Sequence, residues 1–249
     1  MMTPYTKNKA IDDILESVKK TKLELDTMVQ DLRSKSDQVV DDNYDFDNCI
    51  NIYTYGLCMC NGMDGYFGSI GIFYSQDDFR NCSKKITGNL NEKNGKKRME
   101  LKAVLVGLSK VIDDIDKINT DIIIHTDSVH VIKYFTQDLI NRIEPKHIPN
   151  YDYIKKGYDI ISIFPQIKFH YVKNMNSMKC PGAYGLGNSK KMATNELIEQ
   201  LENTIFKFGK YKTNTFAEIY SQDIEYFDWC LLNCQTQITE IKIFLDSKN

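Results

Sequence analysis

Two short stretches decide the fold of this chain: Arg98-Met99-Glu100-Leu101 and, about one strand later, His125-Thr126-Asp127-Ser128. The first opens an apolar helix with a carboxylate. The second closes an apolar strand, Ile122-Ile123-Ile124, with another. Upstream, from Cys49, apolar residues recur with period two and predict strands at 49–58, 66–75 and 80–88, joined by Asn61-Gly62 to Gly65 and by a polar turn. Downstream, an Asn/Gly/Lys-rich loop leads into a helix at 98–114, then a strand at 121–126 and a helix at 128–137. A helix at 151–163, a strand at 167–173, a Gly-rich loop at 174–187 and a helix at 188–205 complete the unit. Three consecutive strands followed by alternating helices and strands predict an α/β domain at 48–205, its mixed sheet covered by helices.

The flanks read differently. Within residues 1–35, Ile11, Ile14, Val18, Leu25, Met28 and Leu32 fall on three- and four-residue steps, with Thr21 in the one polar slot. This is an N-terminal helix that either packs on its own domain or self-associates as a coiled coil, making a homo-oligomer. Residues 36–47 are polar and acidic and read as a linker. Residues 206–249 form a further small module with a Gly turn and aromatics at Tyr226, Phe227 and Trp229.

Composition sets outer bounds. A chain of 249 residues with 42% hydrophobic and 27% charged content is an ordinary globular protein. A net charge of −2 argues against a generally basic coat for nucleic acid, while leaving local basic patches open. Neither a long apolar run nor an N-terminal apolar leader is visible, so an intracellular protein without a membrane partner is expected. Seven cysteines without framework spacing predict reduced, mostly buried thiols. The wealth of Lys, Asn, Ile and Tyr suggests an AT-rich genome, such as a viral one.

The order of these elements, with Ile52-Tyr53-Thr54-Tyr55-Gly56 opening the hairpin, resembles a type 1 ribonuclease H. The resemblance implies a mixed five-stranded sheet flanked by helices. It also implies cleavage of a phosphodiester by two Mg²⁺ ions, hard cations that prefer carboxylate oxygens. Four acids hold the ions in that family, and a mobile His assists product release. Glu100 matches the helix Glu and Asp127 the strand-end Asp. Tyr55 stands where the first Asp belongs, and Met175 replaces the His. The Gly187-Asn188 start places Met192 at the fourth acid, or Thr194 if two residues are inserted. A neutral phenol is a poor substitute for a bridging carboxylate. Residues 206–249, through about thirty residues from Phe206, resemble the C-terminal module of exodeoxyribonuclease X-like proteins.

Three functions follow as expectations. The first is a nucleic-acid-binding pseudonuclease on RNA/DNA hybrid or structured duplex, with Asn61, Lys96, Lys97 and Arg98 facing the ligand and at most weak Mg²⁺ at Glu100 and Asp127. The second is a divergent, active Mg²⁺-dependent ribonuclease completed by a relocated acid such as Asp64 or Glu196. The third is an oligomeric protein scaffold.

Overall fold

A computed structural model of the chain describes residues 16–21, 23–25, 27–30, 37–60, 66–88, 95–112, 120–136, 148–173, 180–234 and 237–248. Six strands form one sheet: β1 (Val39–Val40), β2 (Ile50–Cys60), β3 (Tyr66–Phe73), β4 (Cys82–Gly88), β5 (Ile122–Thr126) and β6 (Ile167–Tyr171). They stand in the order β1-β6-β5-β2-β3-β4. β2, β3 and β4 are antiparallel neighbours, whereas β5, β6 and β1 extend the sheet in parallel from β2. The expected five strands are therefore six. The addition is β1, which lies inside the stretch read as an acidic linker and pairs Val39 with Phe169 and Val40 with His170.

Helices cover both faces. α1 (Gly95–Ser109), α2 (Val129–Thr136) and α3 (Tyr151–Ile163) pack on one side, and α4 (Ala183–Glu202) on the other. The alternation along β2 sorts its side chains. Ile52 and Thr54 lie against Gly107 of α1, while Tyr53 and Tyr55 join Ala183, Leu186 and Ala193 of α4. Burial of Leu101, Val104, Leu108, Ile124, Ile132 and Phe169 supplies the main core, each side chain contributing about 1.5–3 kcal/mol. Among the described residues of the N-terminal helix, Val29 is buried in this core with Leu25 beside it, while Val18 and Met28 are exposed. The described turns therefore pack on their own domain through Leu25 and Val29, a pair one turn apart.

α4 begins earlier than expected, at Ala183, because Gly185, read as loop, is a packing residue inside the helix. A side chain at Gly185 would collide with the Tyr53 ring, and one at Gly71 of β3 with the backbone of Ser189 and Ala193. Helix and sheet approach backbone to backbone there. The contact is fastened by Ser69 Oγ–H donating to the Ala193 carbonyl at 2.6 Å.

The segment after β1 forms a strap over a buried histidine pair. His125 Nδ1 and His170 Nδ1 lie 2.9 Å apart, and Phe46 packs against both rings. Asn51 donates from Nδ2 to the Phe46 carbonyl, which turns its Oδ1 toward His125 Nε2 at 2.8 Å. Asp42 Oδ1 lies 2.8 Å from His170 Nε2. Both Nε2 atoms face acceptors and so carry hydrogen, and the Nδ1 contact needs one more. The two rings thus share one positive charge beside Asp42. Burial, then the neighbouring His170, holds His125 well below the usual imidazole range.

The C-terminal residues add α5 (Phe216–Gln222), α6 (Glu225–Asn233) and α7 (Ile238–Asp246). Thr215 caps α5 in a reciprocal box with Glu218, each side chain accepting from the other's backbone N–H. Phe206, Phe216, Phe227 and Phe244 are fully buried against Leu197 and Leu201 of α4, so the module completes its core on the end of the preceding helix. Trp229, by contrast, is half exposed and stacks on Tyr226.

Candidate active site

Three elements bring the expected residues together. Asp127 follows the last residue of β5, where Thr126 Oγ1 accepts the Ser128 N–H at 3.1 Å and ends the strand. Ser128 then starts α2, accepting the Val131 N–H and donating from its hydroxyl to Glu100 Oε2 at 2.6 Å. This one serine joins the two carboxylate positions. Glu100 lies in the early turns of α1, which presses on β2 at Gly56. A methyl group there would sit 2.8 Å from the Met99 carbonyl oxygen and nearer still to Glu100 N. That close approach sets Glu100 beside Tyr55.

Both acids are pushed up from the ordinary carboxylate range. For Glu100 the cause is burial, opposed by the Ser128 hydrogen bond and Lys96, with Asp127 adding repulsion. For Asp127 it is again burial, opposed by Lys96 and Lys190. Tyr55 is only 8% exposed. Burial, reinforced by the Asp127 and Glu100 charges, pushes its phenol up to about 12, so it stays neutral at any physiological pH.

The cations around the acids are not all those expected. Lys96 Nζ lies 3.8 Å from Glu100 Oε1. Lys97, Lys96 and Lys133 all act on His130 at the start of α2, so these basic groups share one rim. Arg98 is differently engaged. Its guanidinium donates to both carboxylate oxygens of Asp152, at 3.0 and 2.9 Å, and lies 4.1 Å from the Tyr153 ring centroid. It clamps α1 to α3. Lys190, one of several basic residues in the later elements of the sequence, places Nζ 5.8 Å from the Tyr55 ring centroid.

Met192 follows Lys190 by two residues, about 200° around the helix, so α4 turns Lys190 toward Tyr55 and Met192 away from it. Glu196 is tied to the sheet, its carboxylate accepting from Ser83 Oγ of β4 at 2.9 Å. Thr194 Oγ1 bonds back to the Lys190 carbonyl. Asn61, Asp64 and Met175 lie outside the described residues. The spacing of Ala183, Leu186, Ala193 and Leu197, which marks the buried face of α4, was the available signal for Lys190.

A two-ion metal site does not fit this donor set. It offers two carboxylates, one of them already accepting from Ser128, a neutral phenol and two nearby ammonium groups. Among the described residues, no group of three or more His, Cys, Asp or Glu is placed to hold a metal ion. Nor is any described helix long and apolar enough to cross a membrane.

The ribonuclease H family pattern matches residues 47–205, and an exodeoxyribonuclease X-like C-terminal pattern matches residues 206–235. The chain belongs to the ribonuclease H family, and a module of the second kind follows its main domain. Similar solved structures include the RNase H domain of PFV, at 18% identity and a TM-score of 0.43, covering 59% of this chain and 92% of that one. A foamy viral protease-reverse transcriptase in complex with dsDNA is similar at 18% identity and a TM-score of 0.42, over 59% of this chain and 92% of that one. LC11-RNase H1 in complex with an RNA/DNA hybrid follows at 12% identity and a TM-score of 0.40, over 61% of this chain and 98% of that one. No curated protein matches the chain.

Proposed function

We propose that this protein is a nucleic-acid-binding member of the ribonuclease H family whose cleavage chemistry is lost or impaired, with RNA/DNA hybrid or structured duplex as its ligand. Tyr55 carries the reading. A neutral, buried phenol stands within reach of the Glu100 and Asp127 charges, where the family's chemistry needs a carboxylate, and it cannot bridge two cations. Binding is supported by the basic rim of Lys96, Lys97 and Lys133 beside the cleft, where phosphates can be neutralised. Arg98, spent on Asp152, supports the cleft's shape instead of touching the ligand.

The test is a labelled RNA/DNA hybrid incubated with the full chain in Mg²⁺ and in Mn²⁺, beside a Glu100→Gln/Asp127→Asn control. The expected result is no cleavage, with binding that weakens as salt rises and that falls roughly tenfold or more in Lys96→Glu/Lys97→Glu. Cleavage that disappears in the control would make the protein an enzyme. Absence of binding would shift the function to a protein scaffold.

A further inference from the structure

We infer that the ammonium groups of Lys96 and Lys190 are the resident counter-charges of the Glu100–Asp127 pair, standing in for divalent ions and closing the site to Mg²⁺. The inference rests on the reading above for the identity of the site, but not for nucleic-acid binding. Two partly buried carboxylates repel one another and require compensation. Lys96 reaches Glu100 along one turn of α1, as residues four apart on a helix do. Lys190 comes from the opposite face of the sheet. The tight seating of α4 on Gly71 and its contact through Gly185 with Tyr53 fix the backbone from which it extends. The face of the Tyr55 ring is its platform, an arrangement that the negative face of an aromatic ring favours.

The residue types explain why an ion would not enter. Mg²⁺ demands near-octahedral oxygen ligands at about 2.0–2.1 Å and gives up water reluctantly. Here Glu100 Oε2 accepts from Ser128, Oε1 faces Lys96, and the third position is an uncharged phenol. Lys96, Lys190 and the more weakly acting Lys97 leave the carboxylate pair with no uncompensated negative charge. A phosphate can therefore approach Lys190 and Lys96 without a bridging cation, whereas an uncompensated acidic pair would repel it.

Mn²⁺ binding to the full chain, read from the loss of the free-ion EPR signal, tests the inference without reference to activity. The parent protein is expected to bind no Mn²⁺ at the cleft. Lys96→Gln/Lys190→Gln is expected to gain a site, tightening binding by roughly tenfold for each ammonium removed. That gain should vanish when Glu100→Gln/Asp127→Asn is added. Lys190→Arg, which keeps the charge, should behave as the parent does. Both lysines are exposed, and thermal melts of each variant confirm that the fold survives. Mn²⁺ binding by the parent that Glu100→Gln/Asp127→Asn abolishes would overturn the inference. So would a folded Lys96→Gln/Lys190→Gln protein that gains no site. Failure of hybrid binding would overturn the proposed function and leave these outcomes readable.

Discussion

Alanine at Gly71 and alanine at Gly187 are the same chemical change, and the structure gives them opposite signs. A methyl at Gly71 would lie 2.8 Å from Ala193 N and closer still to the Ser189 carbonyl oxygen, both of them backbone atoms of α4. Backbone cannot rotate aside as a side chain can, so the helix must retreat by roughly an ångström to restore ordinary contact. Retreat loosens the buried contacts of Leu186 and Ala193 and stretches the Ser69–Ala193 hydrogen bond of 2.6 Å. Overpacking alone costs about 1–3 kcal/mol, and a net hydrogen bond adds about 1 kcal/mol, so Gly71→Ala should lose roughly 2–4 kcal/mol. At Gly187, inside α4, nothing lies within 4 Å of an added methyl, and its φ is not in the left-handed region. Alanine there should gain about 1 kcal/mol, because glycine is a poor helix former. Urea titration followed by far-UV circular dichroism gives both values by linear extrapolation. In thermal melts, each kcal/mol should move the midpoint by about 2–4 °C for a chain of this size. A Gly71→Ala protein within about 0.5 kcal/mol of the parent would refute the seating of α4 on β3. With it would fall the fixed origin of Lys190.

Three further outcomes are expected. Glu100 is pushed up by burial, so its contribution to stability is fully present below its ordinary range and is lost as pH rises through its raised value. Glu100→Gln should therefore be more stable than the parent at neutral pH in urea titration, and a less stable variant would contradict the site's electrostatics. His125, held down by burial, stays neutral in the fold while the unfolded chain takes up a proton near its ordinary value of 6.5. Stability should thus fall as pH drops below that value, and the slope should flatten in His125→Gln. Thr215→Ala removes the N-cap of α5 and should cost about 1 kcal/mol, read as an earlier urea midpoint.

Much of the fold was legible because its signals are local. Ile122–Ile124 ending in Asp127, and the apolar turns behind Glu100, announce a strand end and a helix start whatever surrounds them. β1 was not legible. Two valines among acids carry no periodicity, and only pairing with Phe169 and His170 makes them a strand. The site was half legible. Glu100, Asp127 and Tyr55 stand together as their order suggested. The pairing of Arg98 with Asp152 was not legible, because the two lie 54 residues apart in sequence. Lys190 was legible only as one of several basic residues, because its place over Tyr55 depends on how α4 seats on the sheet. Of the glycines read as loop, Gly185 is helix, kept small by the Tyr53 ring, while Gly182 at φ 79° makes the turn before it.

The strap over His125 and His170 sets where this domain begins. The family pattern starts at residue 47, after Asp42, Phe46 and all of β1. A chain trimmed to that boundary would open the edge of β6 as an unpaired template and uncover a buried histidine stripped of its aspartate. Any autonomous form must therefore retain the residues from at least Gln38, whose carbonyl accepts the Phe169 N–H at 2.7 Å. A fragment cut by homology alone would be prone to aggregate, for a reason that has nothing to do with its catalytic history.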